Sequence, residues 1–256
     1  MIITKKRDWA RIRENLDEIG AKTVFIMGCG QCATVAGTGG EPEILQAKLA
    51  LEADGHVVTG WAIGEVACHL GGTRLETRKH VGDIDAADAV LVLACGAGVQ
   101  TVADSVKKPV YPGLESVFLG NVIRHGVFEE RCQMCGDCVL DKTAGICPVT
   151  TCPKGLLNGP CGGMWNGKCE VLTDRECAHV RIRQRLIDQG RGMKGVIPPK
   201  DYSAKRGPGS VNMRADRARG KVGKAAKGGG ADEAGTGGSA KTGGSMPEVD
   251  PEKDRG

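Results

Sequence analysis

No stretch of the chain approaches the roughly 20 consecutive apolar residues that a membrane-spanning helix needs, which excludes such a helix. An apolar leader is missing as well. Met1-Ile2-Ile3-Thr4-Lys5-Lys6-Arg7-Asp8-Trp9 carries charge where a secretory signal is apolar, which predicts a cytoplasmic protein. The body lacks net charge: residues 203–256 hold 11 of the 35 Lys and Arg and 7 of the 31 Asp and Glu, leaving 24 of each sign over 1–202. A nucleic-acid surface needs clustered, uncompensated cations, so none is expected. Aromatics are scarce at 3%, whereas Gly reaches 40 and Cys 12 of 256 residues. Twelve cysteines without an export signal point to metal or redox chemistry rather than disulfides, because the cytosol keeps thiols reduced.

After Tyr202 the chain contains no Leu, Ile, Phe or Trp. Such a segment buries too little apolar surface to offset the entropy of ordering it, so a disordered, solvated tail is expected over 203–256. Residues 1–128 read as an α/β domain. Asp8 to Ile19 has an amphipathic helical pattern ending at Gly20, and Thr23-Val24-Phe25-Ile26-Met27 is a strand. Pro42 opens a helix that Gly55 closes. Val57 to Ala62 and Ala89 to Ala94 are further strands, Val99 to Val106 a helix and Val110-Tyr111 a short strand. Strands alternating with helices imply a small, doubly wound parallel sheet. A Cys-rich, metal-stapled domain is expected over 129–202, with a helix from about Arg175 to Gln189. Thr173-Asp174-Arg175-Glu176 fits a capping box at its start and Gly190 its stop.

Four cysteines fall at predicted strand ends: Cys29 and Cys32 after the first strand, Cys68 after the second and Cys95 after the third. Carboxyl ends of parallel strands line one edge, where ligands bind, so these thiols are expected to converge on a four-thiolate site. Gly28 and Gly30 are candidate cofactor-binding positions beside it. Gly28-x-Gly30-x-x-Ala33 also fits a dinucleotide fingerprint, although no acid closes the second strand before Glu65. Cys29 and Cys32 alone fit a CxxC redox pair, and four buried structural thiols remain an alternative. His69 is a substitute ligand or a hydrogen-bonded histidine.

The other eight are Cys132, Cys135, Cys138, Cys147, Cys152, Cys161, Cys169 and Cys177. CxxCxxC followed by Cys147-Pro148 resembles ferredoxin ligation, and eight thiols suffice for two four-cysteine sites. Zinc is the rival, because four-thiolate zinc sites also use CxxC knuckles; CxxCxxC is more typical of iron–sulfur. Cys177 is expected in the first turn of its helix, where the dipole favours a thiolate. Met134, Met164 and Trp165 would form an apolar shell or simply pack, and His179 likewise. No GxSxG, nucleophile–base arrangement or paired carboxylate motif is present, so no catalytic residue is predicted. Glu41, Glu65 and Asp137 read as capping or surface acids.

Arg131-Cys132-Gln133-Met134-Cys135-Gly136-Asp137-Cys138, Ile146-Cys147-Pro148-Val149 and the run from Cys152 to Gly163 resemble the methylenetetrahydrofolate reductase C-terminal domain family. Lys168-Cys169-Glu170-Val171 and Glu176-Cys177-Ala178 continue the likeness, which spans about 1–190 and is most specific over 131–177. The resemblance implies a small subunit that carries two or three [4Fe–4S] clusters, with zinc as the alternative at one four-cysteine site. Its implied partners are the flavin-containing reductase subunit and ferredoxin or another low-potential donor. A zinc-stapled scaffold for that flavoprotein and a NAD-dependent oxidoreductase stand as the alternatives.

Overall fold

The computed structural model describes residues 1–192, 195–202 and 209; the tail expected to be disordered lies, but for residue 209, outside them. In chain order the elements are β1 (Ile2–Lys6), α1 (Trp9–Glu18), β2 (Thr23–Cys29), α2 (Cys32–Val35), α3 (Glu41–Ala53), β3 (Val57–Gly64), α4 (Leu70–Lys79), α5 (Val81–Ala86), β4 (Ala89–Leu93), α6 (Gly96–Ala103), β5 (Val110–Pro112), β6 (Leu114–Arg124), β7 (Val127–Cys132), α7 (Pro148–Thr151) and α8 (Ala178–Asp188). The described residues up to 202 belong to one compact unit.

β3, β2, β4 and β5 form a parallel sheet in that order. β4 is buried at every residue and β2 at all but Thr23. Continuous Val, Ile, Leu and Phe runs of this kind suit strands covered on both faces. Right-handed crossovers send the first connection to one face and the later ones to the other. Accordingly α3 packs on β2 and β3 with α1 beside it, Trp9 Nε1 donating to Asp54 Oδ2 at 2.7 Å, while α4 contacts both α5 and α6. The sheet is doubly wound.

Local chemistry sets the helix limits. Asp8 caps α1 by accepting from Ala10 N at 3.0 Å, and Gly20 (φ 64°) closes it with the Ala21 N–H bonded back to Leu16 O. In α3, Pro42 stands in the first turn and the Glu43 carboxylate accepts from Gly40 N at 3.0 Å.

Two features depart from the sequence reading. A second, antiparallel sheet of order β1-β6-β7 was not foreseen. β1 pairs with the first half of β6, from Leu114 to Leu119, and β7 with the second half, from Leu119 to Arg124. α8 begins at Ala178, so the expected capping box at 173–176 does not form and Cys177 is the N-cap rather than a first-turn residue. The reason is a competing turn: Lys168 bridges both Trp165 and Glu176, Cys169 N bonds Arg175 O, and Cys177 N bonds Gly167 O at 2.7 Å. Those bonds, with Arg175 N bonded to Leu172 O, hold 173–176 in a turn that leads into a bridge, out of the helix.

Candidate metal centre

β2 lies between β3 and β4, with Cys29 opposite Gly64 and Gly28 opposite Leu93. The three strands therefore end at one edge, the point where strand order reverses. Cys29 is the last residue of β2, Cys32 opens α2, Cys68 follows β3, and Cys95 is the N-cap of α6. Cys29 is buried, Cys32 and Cys95 are half-buried and Cys68 is exposed. The Cys68 thiol is nonetheless pushed above its ordinary value, first by partial withdrawal from water and then by the charges of Cys95, Cys29 and Cys32. Four thiols from three strand ends thus share one electrostatic neighbourhood.

The glycines here serve close approach. A Cβ on Gly28 would stand 2.5 Å from Gly39 O and 2.7 Å from Ile44 Cδ1, so protein atoms already fill that space. Gly30 N donates to Gly64 O at 2.8 Å and Cys29 N to Gly39 O at 3.1 Å, fastening the cysteine loop to its neighbours. His69 caps α4, its Nδ1 accepting from Gly72 N at 2.9 Å.

Cys152, Cys161, Cys169 and Cys177 line a single small cavity, together with Met164 and His179. Cys161 Sγ donates to Glu170 Oε2 at 3.3 Å, and the Lys154 ammonium is paired with the same carboxylate. Hydrogen bonds from Lys154 and Cys161 hold Glu170 below the usual carboxylate range. Leu172 N–H points at Cys169 Sγ at 3.5 Å. His179 Nε2 lies 2.9 Å from Leu156 O, and burial lowers its basicity, which favours the neutral ring donating to that carbonyl.

Of the other four cysteines, Cys132 and Cys147 are placed by β7 and α7. Cys132 closes β7 and Cys147 is the N-cap of α7, which packs on β7 through Thr150, whose hydroxyl donates to Arg131 O at 3.4 Å. The CxxCxxC loop is bent by Met134 (φ 51°) and Gly136 (φ 80°), and Met134 N–H donates to Cys132 Sγ at 3.2 Å. Cys152 caps the far end of α7, so one helical turn separates it from Cys147.

Sequence reading missed the charged residues that serve these thiols. The Lys200 side chain is only 3% exposed and its ammonium sits on Asp137, bonded to the main-chain carbonyl and 3.5 Å from the carboxylate. Burial alone would lower its basicity; the charges of Cys135 and Asp137 outweigh that and hold it raised. The available signal was Pro198-Pro199, a stiff lead-in to a lysine. Lys154 and Glu170 were legible only as neighbours of cysteines.

All twelve cysteines are free thiols. Among the described residues no three His, Cys, Asp or Glu side chains draw together closely enough for one metal ion, and no helix is long and apolar enough to cross a membrane. Residues 111–203 match the family described as methylene-tetrahydrofolate reductase C terminal. The match takes in β6, β7, α7, α8 and eight cysteines; the parallel sheet up to residue 110, with Cys29, Cys32, Cys68 and Cys95, lies outside it. No curated protein and no solved structure matches the chain.

Proposed function

We propose, with the match over residues 111–203 as premise, that the chain is an iron–sulfur subunit of a methylenetetrahydrofolate reductase. In this reading it passes electrons from ferredoxin or a similar low-potential donor to the flavin of a catalytic partner subunit. The observation that supports the reading is that, of twelve free thiols, Cys29, Cys32, Cys68 and Cys95 share one electrostatic neighbourhood and Cys152, Cys161, Cys169 and Cys177 line one cavity; Cys132, Cys135, Cys138 and Cys147 are assigned to a third set by remainder.

The donor chemistry fits [4Fe–4S] centres, which are held by four thiolates and tuned by hydrogen bonds to sulfur, burial and nearby charge. A bound cluster of this kind supplies reversible storage of a single electron. This chain's own groups supply the rest. Met134 and Leu172 aim amide N–H groups at Cys132 and Cys169, the buried Lys200 ammonium offsets negative charge at Cys135, and Cys177 places its sulfur at the positive end of α8.

Zinc at the 152/161/169/177 group is the second reading. It is favoured by the small packed cluster of the surrounding segment, which among the described residues joins Ala144, Ile146, Ile182 and Leu186 and leaves folding to a staple. The dinucleotide reading loses ground, because α2 is a single turn of four residues and the space over Gly28 is taken.

Anaerobic purification with iron, sulfide and zinc analysis tests the proposal. Brown protein with about four iron per cluster, eight to twelve in all, is the expected result. Cys95→Ala removes about four of them. Colourless protein containing zinc alone defeats the electron-transfer reading and leaves the scaffold.

A further inference from the structure

β1 stops supporting β6 at Leu119 and Gly120, where Met1 N and O both bond Gly120. Beyond that point β6 and β7 continue as a two-stranded arm. Val122, Ile123 and Val127 on the arm are exposed, and Val122 is directly opposite Phe128. A lone two-stranded ribbon is marginal in water, and exposed apolar groups on both of its strands favour cover by a partner. Phe118 and Phe128 line a cleft of about 660 Å³ that also has Leu172, Arg175 and Cys169 on its walls. Cys169 lines the four-cysteine cavity too, so this thiol lies between cavity and cleft.

We propose that the β6–β7 arm and its cleft are the docking surface for the flavoprotein partner, with Cys169 as the thiol at the contact. The inference rests on the function proposed above and names the surface through which that partner is reached. Two observations select this occupant. The family match starts just ahead of β6 and runs past α8, so the arm and the eight cysteines form one shared unit without the parallel sheet. The cleft also carries both charge signs: Arg131 pairs with Glu129 and Arg181 with Glu176, while the side chains of Arg175 and Glu130 have no hydrogen bond or ion pair among the described residues. Nucleic acid or an anionic lipid surface calls for cations alone, whereas a protein face of mixed polarity satisfies both signs.

The test uses the full-length chain and the methylenetetrahydrofolate reductase flavoprotein of the same organism. Association is followed by interferometry and by light scattering of the mixture. Val122→Asp and Arg175→Glu should each weaken association at least tenfold while iron and sulfide per chain stay at the wild-type level. Arg175→Glu guards against a misfolded hairpin, since its side chain holds nothing in place. In the wild-type complex, amide exchange over 118–131 should slow at least tenfold. Association unchanged within twofold in both variants, no association of the wild type, slowing confined to other segments, or a dimer of this chain sealed by the arm each overturns the proposal. Loss of association in the variants of a protein that holds no iron leaves the docking surface standing and removes the electron-transfer reading instead.

Discussion

Around β2 and β4, 24 buried residues make one contiguous core, and the three strand-end cysteine loops hang from it. Between residues 133 and 192 the equivalent apolar core numbers four, yet that stretch holds seven cysteines, with Cys132 just before it. The difference separates two uses of a thiol. On the sheet, the scaffold exists before any ligand arrives and the cysteines only decorate its edge. In the second region the backbone turns through Met134, Ala144 and Asn166 at positive φ, with little packing to hold it, so whatever binds the thiols also has to hold the fold.

Withdrawing any bound metal should separate the two regions most sharply. Anaerobic chelation should raise amide exchange over 133–177 at least tenfold, because structural metal binding is itself folding free energy, worth about 10–16 kcal/mol for zinc in small peptides. The amides of β2 and β4 should stay slow. Joint melting of both regions would erase the distinction drawn here. Next in size, Leu91→Ala at the centre of the sheet should cost about 2–5 kcal/mol in denaturant unfolding. Leu91 is fully buried, and whatever metal residues 132–177 bind should not change in amount. Gly28→Ala should cost about 1–3 kcal/mol, since its methyl group would meet Gly39 O and Ile44 at 2.5 and 2.7 Å. A neutral result on thermal denaturation would mean the 37–40 loop yields easily.

The smallest expected effect is a pH dependence confined to the sheet. Backbone N–H groups of Lys22 and Thr23 hold the Asp88 carboxyl below its ordinary value. A depressed carboxylate stabilises the fold fully above the ordinary value of about 4, and that contribution disappears as pH falls through the lowered value. Asp88→Asn should therefore flatten the acid limb of a stability-against-pH curve below about pH 4 and leave neutral pH behaviour otherwise parallel. An unchanged acid limb would show that those two bonds do not discriminate between charged and neutral forms.

The parallel sheet was legible because its strands are continuous apolar runs, and the cysteine positions at their ends followed from topology. The antiparallel sheet was not, since Ile2-Ile3-Thr4-Lys5-Lys6 and the largely exposed β6 show no clean alternation, and their pairing joins residues more than a hundred positions apart. The eight later cysteines were visible as a count, but that Cys152, Cys161, Cys169 and Cys177 line one cavity required the fold: α7 is too short to announce itself, and its two caps, Cys147 and Cys152, stand at opposite ends of it. The α8 start was misread because capping-box chemistry at Thr173 and Glu176 is overridden by bonds from Gly167 and Cys169. Lys200 stayed invisible because its place beside Cys135 depends on chain returning from 63 residues beyond Asp137.

The ladder between β2 and β4 ends at Gly28 and Leu93, one rung short of Cys29 and two short of Cys95. Sulfurs anchored that near the last rung inherit the stiffness of the sheet, and shifting one against another would mean breaking main-chain bonds of about 1 kcal/mol each. An inorganic centre carried there would keep nearly the same shape in either oxidation state, so little energy is spent on rearrangement when charge arrives or leaves. Speed of exchange would then be governed by how near a donor can come, not by how far the sulfurs must move.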